Sequence, residues 1–200
     1  MIKNIVFDLG NVILKDKPSE VLNNIKINNE ECEIIKNTFF SNWDELDLGN
    51  VTIEEHLENC NMPINIEEFK EILIEYYKYR AFNEEVVKLM KELKKNNYKI
   101  YILSNNNKQA YEYLLKLPIF KSVDGWVVSC DYHIIKPNKK LYEILFDTYN
   151  LNPAESFFID DKKENIHMAR ILGMNGYVLD YKRDGINELI KNMKENNIKC

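Results

Sequence analysis

Five short apolar runs, at residues 2–7, 99–103, 125–129, 156–159 and 176–179, alternate with longer amphipathic stretches along this 200-residue chain. Runs of this length, bounded by turn residues, read as buried strands. The stretches at 83–96, 107–117, 138–149, 162–172 and 184–196 repeat apolar residues at helical spacing. Such alternation predicts a doubly wound, Rossmann-like α/β fold, with a parallel sheet and helices on both faces.

One interval breaks the rhythm. The first run ends at Asp8-Leu9-Gly10-Asn11 and the second starts near Lys99. A parallel crossover needs only about a dozen residues, so roughly seventy are surplus. They carry apolar residues at helical spacing (Val21, Leu22, Ile25; Ile34, Ile35, Phe39; Phe69, Ile72, Leu73, Tyr76) and no strand-like run. The expected organisation is a small helical cap, residues 15–81, inserted into a core of residues 1–14 and 82–200. Its Asn-Asn, Leu-Gly-Asn and Met-Pro pieces read as internal turns.

A net charge of −5 argues against a general nucleic-acid surface, because phosphate contacts need clustered Lys and Arg. A small anionic ligand stays possible where lysines or a metal reverse the sign locally. Cys32, Cys60, Cys130 and Cys200 are scattered and form no CxxC pair, so neither a zinc site nor a disulfide framework is expected. The chain enters a strand directly, with no signal-peptide h-region, and no window approaches the ~18 apolar residues of a membrane span. The expectation is a cytoplasmic monomer with neither nucleic-acid nor membrane partners.

Ligands of doubly wound sheets bind at the carboxyl ends of the strands. There this chain places Asp8, then Ser104-Asn105-Asn106, then Lys136-Pro137, then Asp160-Asp161 with Asn165 one turn on. Each has a bland alternative. Asp8 can be a turn former, Ser104 and the paired Asp residues helix caps, Lys136 a solvated lysine and Asn165 an exposed helix residue. Together they suggest chemistry. A carboxylate at Asp8 can attack phosphorus, and Asp160 and Asp161 converging on it repel unless a hard cation such as Mg²⁺ lies between them. The Ser104 hydroxyl and neighbouring N–H groups can hold a phosphate oxygen. His56, His133 and His167 lie too far apart in sequence to suggest a ligand set. Trp43 and the tyrosines at 76–79 read as helical core rather than a sugar platform.

The segments IVFDLGNVI, YILSNNN, IIKPNKKLYEIL and FFIDDKKENIHMARILGM resemble the four motifs of the haloacid-dehalogenase superfamily, in order and over nearly the whole chain. The resemblance implies a Mg²⁺-dependent phosphatase of a small phosphorylated metabolite, a sugar phosphate, working through an aspartyl-phosphate on Asp8, with Lys136 balancing the charge and Ser104 and Asn105 binding substrate. It also implies that Asp8, Asp161 and the Gly10 carbonyl ligate the metal, that Asp160 does so directly or through water, and that Asn165 orients Asp161 or Lys136. The insertion resembles that family's helical cap, with residues 47–52 as a substrate-facing loop and Asp47 binding substrate. The Asp-Leu-Gly-Asn opening is similar to bacterial sugar-phosphate phosphatases of the α-D-glucose-1-phosphate phosphatase type.

One position departs. Most phosphatases of the superfamily have a second Asp two residues after the nucleophile, where this chain has Gly10. The carbonyl remains, but the acid/base group, typically worth about 10²–10⁴-fold in rate, is gone. A cap carboxylate (Asp44, Glu45 or Asp47) is one replacement; a leaving group that needs little protonation is another. Gly10 is also compatible with a 2-haloacid dehalogenase, in which the same Asp attacks carbon without a metal, although such enzymes lack the paired Asp. A non-catalytic phosphometabolite-binding protein is the remaining alternative.

Overall fold

The computed structural model describes residues 1–15, 18–22, 29–39, 43–60, 65–181 and 185–200. The chain runs β1 (Asn4–Phe7), then, among the described residues of the insertion, α1 (Pro18–Leu22), α2 (Asn29–Ile34, continued by a π-helical turn at Ile35–Phe39), α3 (Trp43–Asp47), α4 (Ile53–Asn59) and α5 (Ile66–Tyr79). It continues through α6 (Glu84–Lys95), β2 (Lys99–Ser104), α7 (Lys108–Leu115), β3 (Gly125–Val128) and α8 (Lys139–Tyr149). The chain closes with β4 (Ser156–Asp160), α9 (Lys163–Ile171), β5 (Asn175–Val178) and α10 (Gly185–Glu195). The five strands form one parallel sheet in the order β3-β2-β1-β4-β5, the expected doubly wound arrangement.

Successive strand residues point to opposite faces, and the core divides accordingly. Ile5, Phe7, Ile100, Ile102, Phe157 and Ile159 pack with α6 and α10 through Val86, Leu93, Leu189 and Met193. Val6, Tyr101, Leu103 and Phe158 pack with α8 and α9 through Leu141, Leu145, Ile166 and Ala169. Burial on both faces explains why these strands read as continuous apolar runs rather than alternating ones. Two of the three Asn residues at the expected helix starts cap with their side chains: Asn107 Oδ1 accepts from the Ala110 N–H and Asn138 Oδ1 from the Lys140 N–H, whereas Asn83 Oδ1 accepts from the Tyr181 hydroxyl instead.

Between β1 and α6 the described residues form helices with their own apolar cluster. It contains Val21, Leu22, Ile35, Phe69, Ile72, Leu73 and Tyr76, as the spacing predicts, together with Leu46, Ile53, Leu57 and Tyr77. Ile34 is only half-buried. Ile25, the Asn23-Asn24 turn, the Met62-Pro63 turn and the Phe39 side chain lie outside the described residues. The chain enters and leaves this insertion side by side: the Lys15 N–H donates to the Ala81 carbonyl (2.9 Å) and the Asn83 N–H to that of Ile13 (2.8 Å). Among the described residues, no helix is long and apolar enough to cross a membrane.

Asp124, just before β3, ties three elements together. Its carboxylate accepts from the Ile100 N–H (2.8 Å), Lys94 (2.7 Å) and Lys99 (3.1 Å). Burial pushes its pKa up, but these partners together hold it below the usual carboxylate value. A depressed folded pKa contributes stability above the unfolded value that is lost as pH falls through the folded one. Asp124→Asn is therefore expected to destabilise the protein by about 1–2 kcal/mol at pH 7, with a smaller deficit at a pH below the ordinary carboxylate value of 3.8. Urea unfolding at both pH values checks this, and an equal deficit at each contradicts it.

Candidate active site

The strand order reverses at β1, whose neighbours are β2 and β4, so the ends of β1 and β4 flank the crevice where such sheets bind ligands. Asp8 follows β1 and is anchored by its own N–H to the Ile159 carbonyl (2.9 Å). Asp160 ends β4, Ser104 ends β2, and Lys136 follows β3; all four side chains are buried.

Lys136 organises the group. Its Nζ lies 2.8 Å from Asp8 Oδ1, 2.7 Å from Asp160 Oδ2 and 2.9 Å from the Leu103 carbonyl. An ammonium has three donors, and all three are used. The Asn105 side chain clamps the Lys136 backbone from both sides, accepting its N–H (2.8 Å) and donating to its carbonyl (3.2 Å). Asn105 thus holds the lysine through its side chain, which leaves its backbone for any contact with substrate.

Asp160 is saturated as well. Oδ1 accepts from the Lys162 N–H and Asn165 Nδ2, and Oδ2 from Asn165 Nδ2 and Lys136. Asn165 is buried rather than exposed, and it holds Asp160 directly rather than Asp161. The first turn of α9 carries its side chain back over the strand end, while Tyr142 donates to its carbonyl (3.0 Å). Asp161 points away from this network. Its Oδ2 accepts from Asn11 Nδ2 (3.0 Å), and Asn11 stands at φ 53°, in the left-handed region that Asn tolerates.

One oxygen from each of Asp8, Asp160 and Asp161 lies within 4.8 Å of the others. Burial raises the Asp8 pKa to about 6 against the pull of Lys136, and the charges of Asp160 and Asp161 add to the rise. Asp161 is also raised, first by burial, with the Asn11 hydrogen bond opposing. Three converging carboxylates exceed the one buried ammonium, and an all-oxygen donor set of this kind fits Mg²⁺. Among the described residues no hydrogen bond reaches Asp8 Oδ2 or Asp161 Oδ1, so these two residues keep an oxygen for the cation while Asp160 stands behind them.

A cavity of about 330 Å³ opens above this floor, lined below by Asp8, Gly10, Ser104, Asn105, Lys136 and Asp161. Its other wall comes from the insertion: Trp43, Asp44, Asp47, Tyr76 and Arg80. Tyr76 and Tyr77 belong to the helical core as expected, yet Tyr76 and Trp43 also face the cavity. Glu45 does not line it and accepts instead from Asn50 Nδ2 (3.1 Å). His56 is buried beside Cys60, and His133 and His167 lie on the surface. Sequence reasoning misses Asn11, Lys162 and Arg80, all of which line the cavity. Only the rarity of arginine, three in the chain, marks Arg80.

Residues 2–173 match the family described as haloacid dehalogenase-like hydrolase. The D-ribitol-5-phosphate phosphatase of Bacteroides thetaiotaomicron is 25% identical over 194 residues, covering 88% of this chain and 91% of that protein. Bifunctional epoxide hydrolase 2 of Mus musculus is 26% identical over 159 residues, 76% of this chain but only 28% of the longer protein. Among solved structures, a HAD family enzyme from Bacteroides thetaiotaomicron, in complex with magnesium and inorganic phosphate, superposes with a TM-score of 0.71. It is 22% identical, over 92% of this chain and 97% of that one.

The raised pKa of Asp8 is a stability statement. Between the ordinary value of 3.8 and the folded value of about 6 the folded state holds the extra proton, so stability falls as pH rises through this window. In metal-free solution Asp8→Asn removes that cost. The variant is expected to exceed the parent by about 1–3 kcal/mol above pH 6 and to match it below about pH 4. Urea unfolding from pH 3 to 8 measures the difference, and a variant less stable than the parent at pH 7 contradicts it.

Proposed function

The chain belongs to the haloacid dehalogenase-like hydrolase family, and from that premise we propose that it is a Mg²⁺-dependent phosphatase of small phosphorylated metabolites that uses Asp8 as its nucleophile. The observation that carries this reading is the pairing of Asp8 with Lys136 at 2.8 Å inside a cluster of three carboxylates. Residues 1–14 and 82–200 act as the catalytic core and residues 15–81 as the cap that closes the pocket. The pocket, at about 330 Å³, lies near the lower end of small-molecule sites, which suits a phosphate ester of monosaccharide size.

Asp8, Asp161 and the Gly10 carbonyl would hold Mg²⁺, with Asp160 supporting them, and the bound ion would supply positive charge to the phosphoryl oxygens. Asp8 attacks phosphorus, the bond to the leaving oxygen breaks, and the phosphoryl group rests on the Asp8 carboxylate. Water then attacks phosphorus and releases phosphate and free Asp8. Lys136 keeps the attacking carboxylate ionised and aimed, while the Ser104 hydroxyl and the Asn105 N–H hold phosphate oxygens.

Gly10 leaves the proton for the leaving oxygen without its usual source. Asp44 and Asp47 line the pocket and Glu45 does not, which narrows a cap-derived source to the first two. A leaving group that needs little help fits the same gap, and this favours an anomeric phosphate such as a hexose 1-phosphate, in line with the α-D-glucose-1-phosphate phosphatase type. Gly10 also favours one second reading, a 2-haloacid dehalogenase. The three-carboxylate cluster weighs against it, since attack on carbon gives a cation there nothing to do.

Hydrolysis of p-nitrophenyl phosphate and of hexose 1-phosphates is expected with Mg²⁺. EDTA should abolish it, and Asp8→Asn should lower it by at least about 10³-fold. Activity on a 2-haloacid that survives EDTA would establish the dehalogenase instead. A hexose 1-phosphate should exceed its 6-phosphate in kcat/KM; the reverse order sinks the anomeric preference. For the cap source, combined Asp44→Asn and Asp47→Asn should cost about 10²-fold or more in kcat on a poor leaving group, with Glu45→Gln near the parent. An unchanged kcat removes the cap from proton transfer.

A further inference from the structure

Ser129, the residue after β3, is wholly buried and does not line the pocket, yet it bonds to both of the pocket's walls. Its Oγ accepts the backbone N–H of Asn106 (2.9 Å), on the core wall. The same hydroxyl donates to the backbone carbonyl of Asp47, on the wall contributed by the insertion. A second acceptor waits nearby, the Asn106 carbonyl at 3.4 Å. A hydroxyl has one proton, so it serves one of these carbonyls at a time.

The chain beside Asp47 is fitted to this junction. Gly49 has φ +67°, and a Cβ there would meet the Cys130 carbonyl at 2.5 Å, so residues 47–50 approach the turn after β3 as closely as backbone can. Further along the seam Tyr77 donates to Asn107 Oδ1 (3.3 Å), and within the core Lys108 pairs with Asp131 (2.6 Å). Ser129 differs from these contacts because its partners, Asn106 and Asp47, both belong to the pocket itself.

We propose that Ser129 is a positioning residue that couples the two walls. With its proton on the Asp47 carbonyl, one buried hydroxyl fixes both the insertion loop and the Asn106 backbone. When the loop moves off, the proton turns to the Asn106 carbonyl, so the buried hydroxyl stays satisfied in either arrangement. An anion that orders residues 104–106 thereby orders residues 47–50, and the coupling works equally in reverse. The inference rests on the phosphate-site reading above, but it concerns linkage between segments rather than turnover.

Amide hydrogen exchange on the full chain tests it, with Mg²⁺ and inorganic phosphate as the probe. In the parent, phosphate should slow exchange in residues 104–107 and 47–51 together. In Ser129→Ala, phosphate should slow only residues 104–107, and residues 47–51 should exchange about fivefold faster than in the parent even without phosphate. Ser129→Thr, which keeps a hydroxyl, should restore the joint slowing; should threonine not fold there, Ser129→Cys, a weaker donor, should restore part of it. Joint slowing in Ser129→Ala equal to the parent overturns the coupling. If phosphate slows neither segment in the parent, the phosphate-site reading is what fails. The phosphate-free comparison then decides the junction alone, and an unchanged rate in residues 47–51 overturns it.

Discussion

A buried ammonium is stable only while each of its protons has a partner, and Lys136 imposes that condition on the whole site. Its three donors meet Asp8, Asp160 and the Leu103 carbonyl, which belong to the ends of β1, β4 and β2. Deleting one of these acceptors outright leaves a buried N–H unanswered, at a cost of about 1–3 kcal/mol, whereas an amide in its place keeps the acceptor oxygen. The strand ends are therefore tied to one another through a single side chain. Asn105 and Asn165 extend the tie, the first by clamping the Lys136 backbone and the second by holding both oxygens of Asp160.

This arrangement separates the three carboxylates into different tasks. Asp160 is fully occupied and acts as a fixed negative charge behind the site. Asp161 accepts from Asn11 and, among the described residues, from no other hydrogen-bond donor, and it faces the cavity. Asp8 sits between the two, paired with Lys136 through one oxygen and raised to a pKa of about 6 by burial and by its acidic neighbours. A cation bound between Asp8 and Asp161 relieves that repulsion, which is why the same cluster reads as costly without metal and competent with it.

Most of the fold is legible in the sequence because parallel strands buried on both faces leave unbroken apolar runs, and Asn caps mark several of the following helices. Asp8, Ser104, Lys136, Asp160 and Asp161 are legible for a related reason: in a parallel sheet the carboxyl ends of the strands converge, so strand-end polar residues meet wherever the strands do. The partner of Asn165 is not legible. Asp161 stands four residues before it and Asp160 five, and that spacing does not select Asp160. Arg80 and Ser129 are hidden for a different reason. Their roles arise where the insertion meets the core, and no periodicity within either segment encodes a contact between the two. Gly10 is the reverse case, visible in sequence as an omission whose consequence depends on which insertion carboxylates reach the pocket.

The central claim is that Asp8 carries the phosphoryl group during turnover. Its most direct test is rapid acid quenching of the enzyme mixed with Mg²⁺ and a hexose 1-phosphate labelled in its phosphate, followed by peptide mapping within the first turnover. The account predicts label on the peptide containing Asp8, appearing before free phosphate and absent in Asp8→Asn. Free phosphate released at the same rate with no label on that peptide would contradict it.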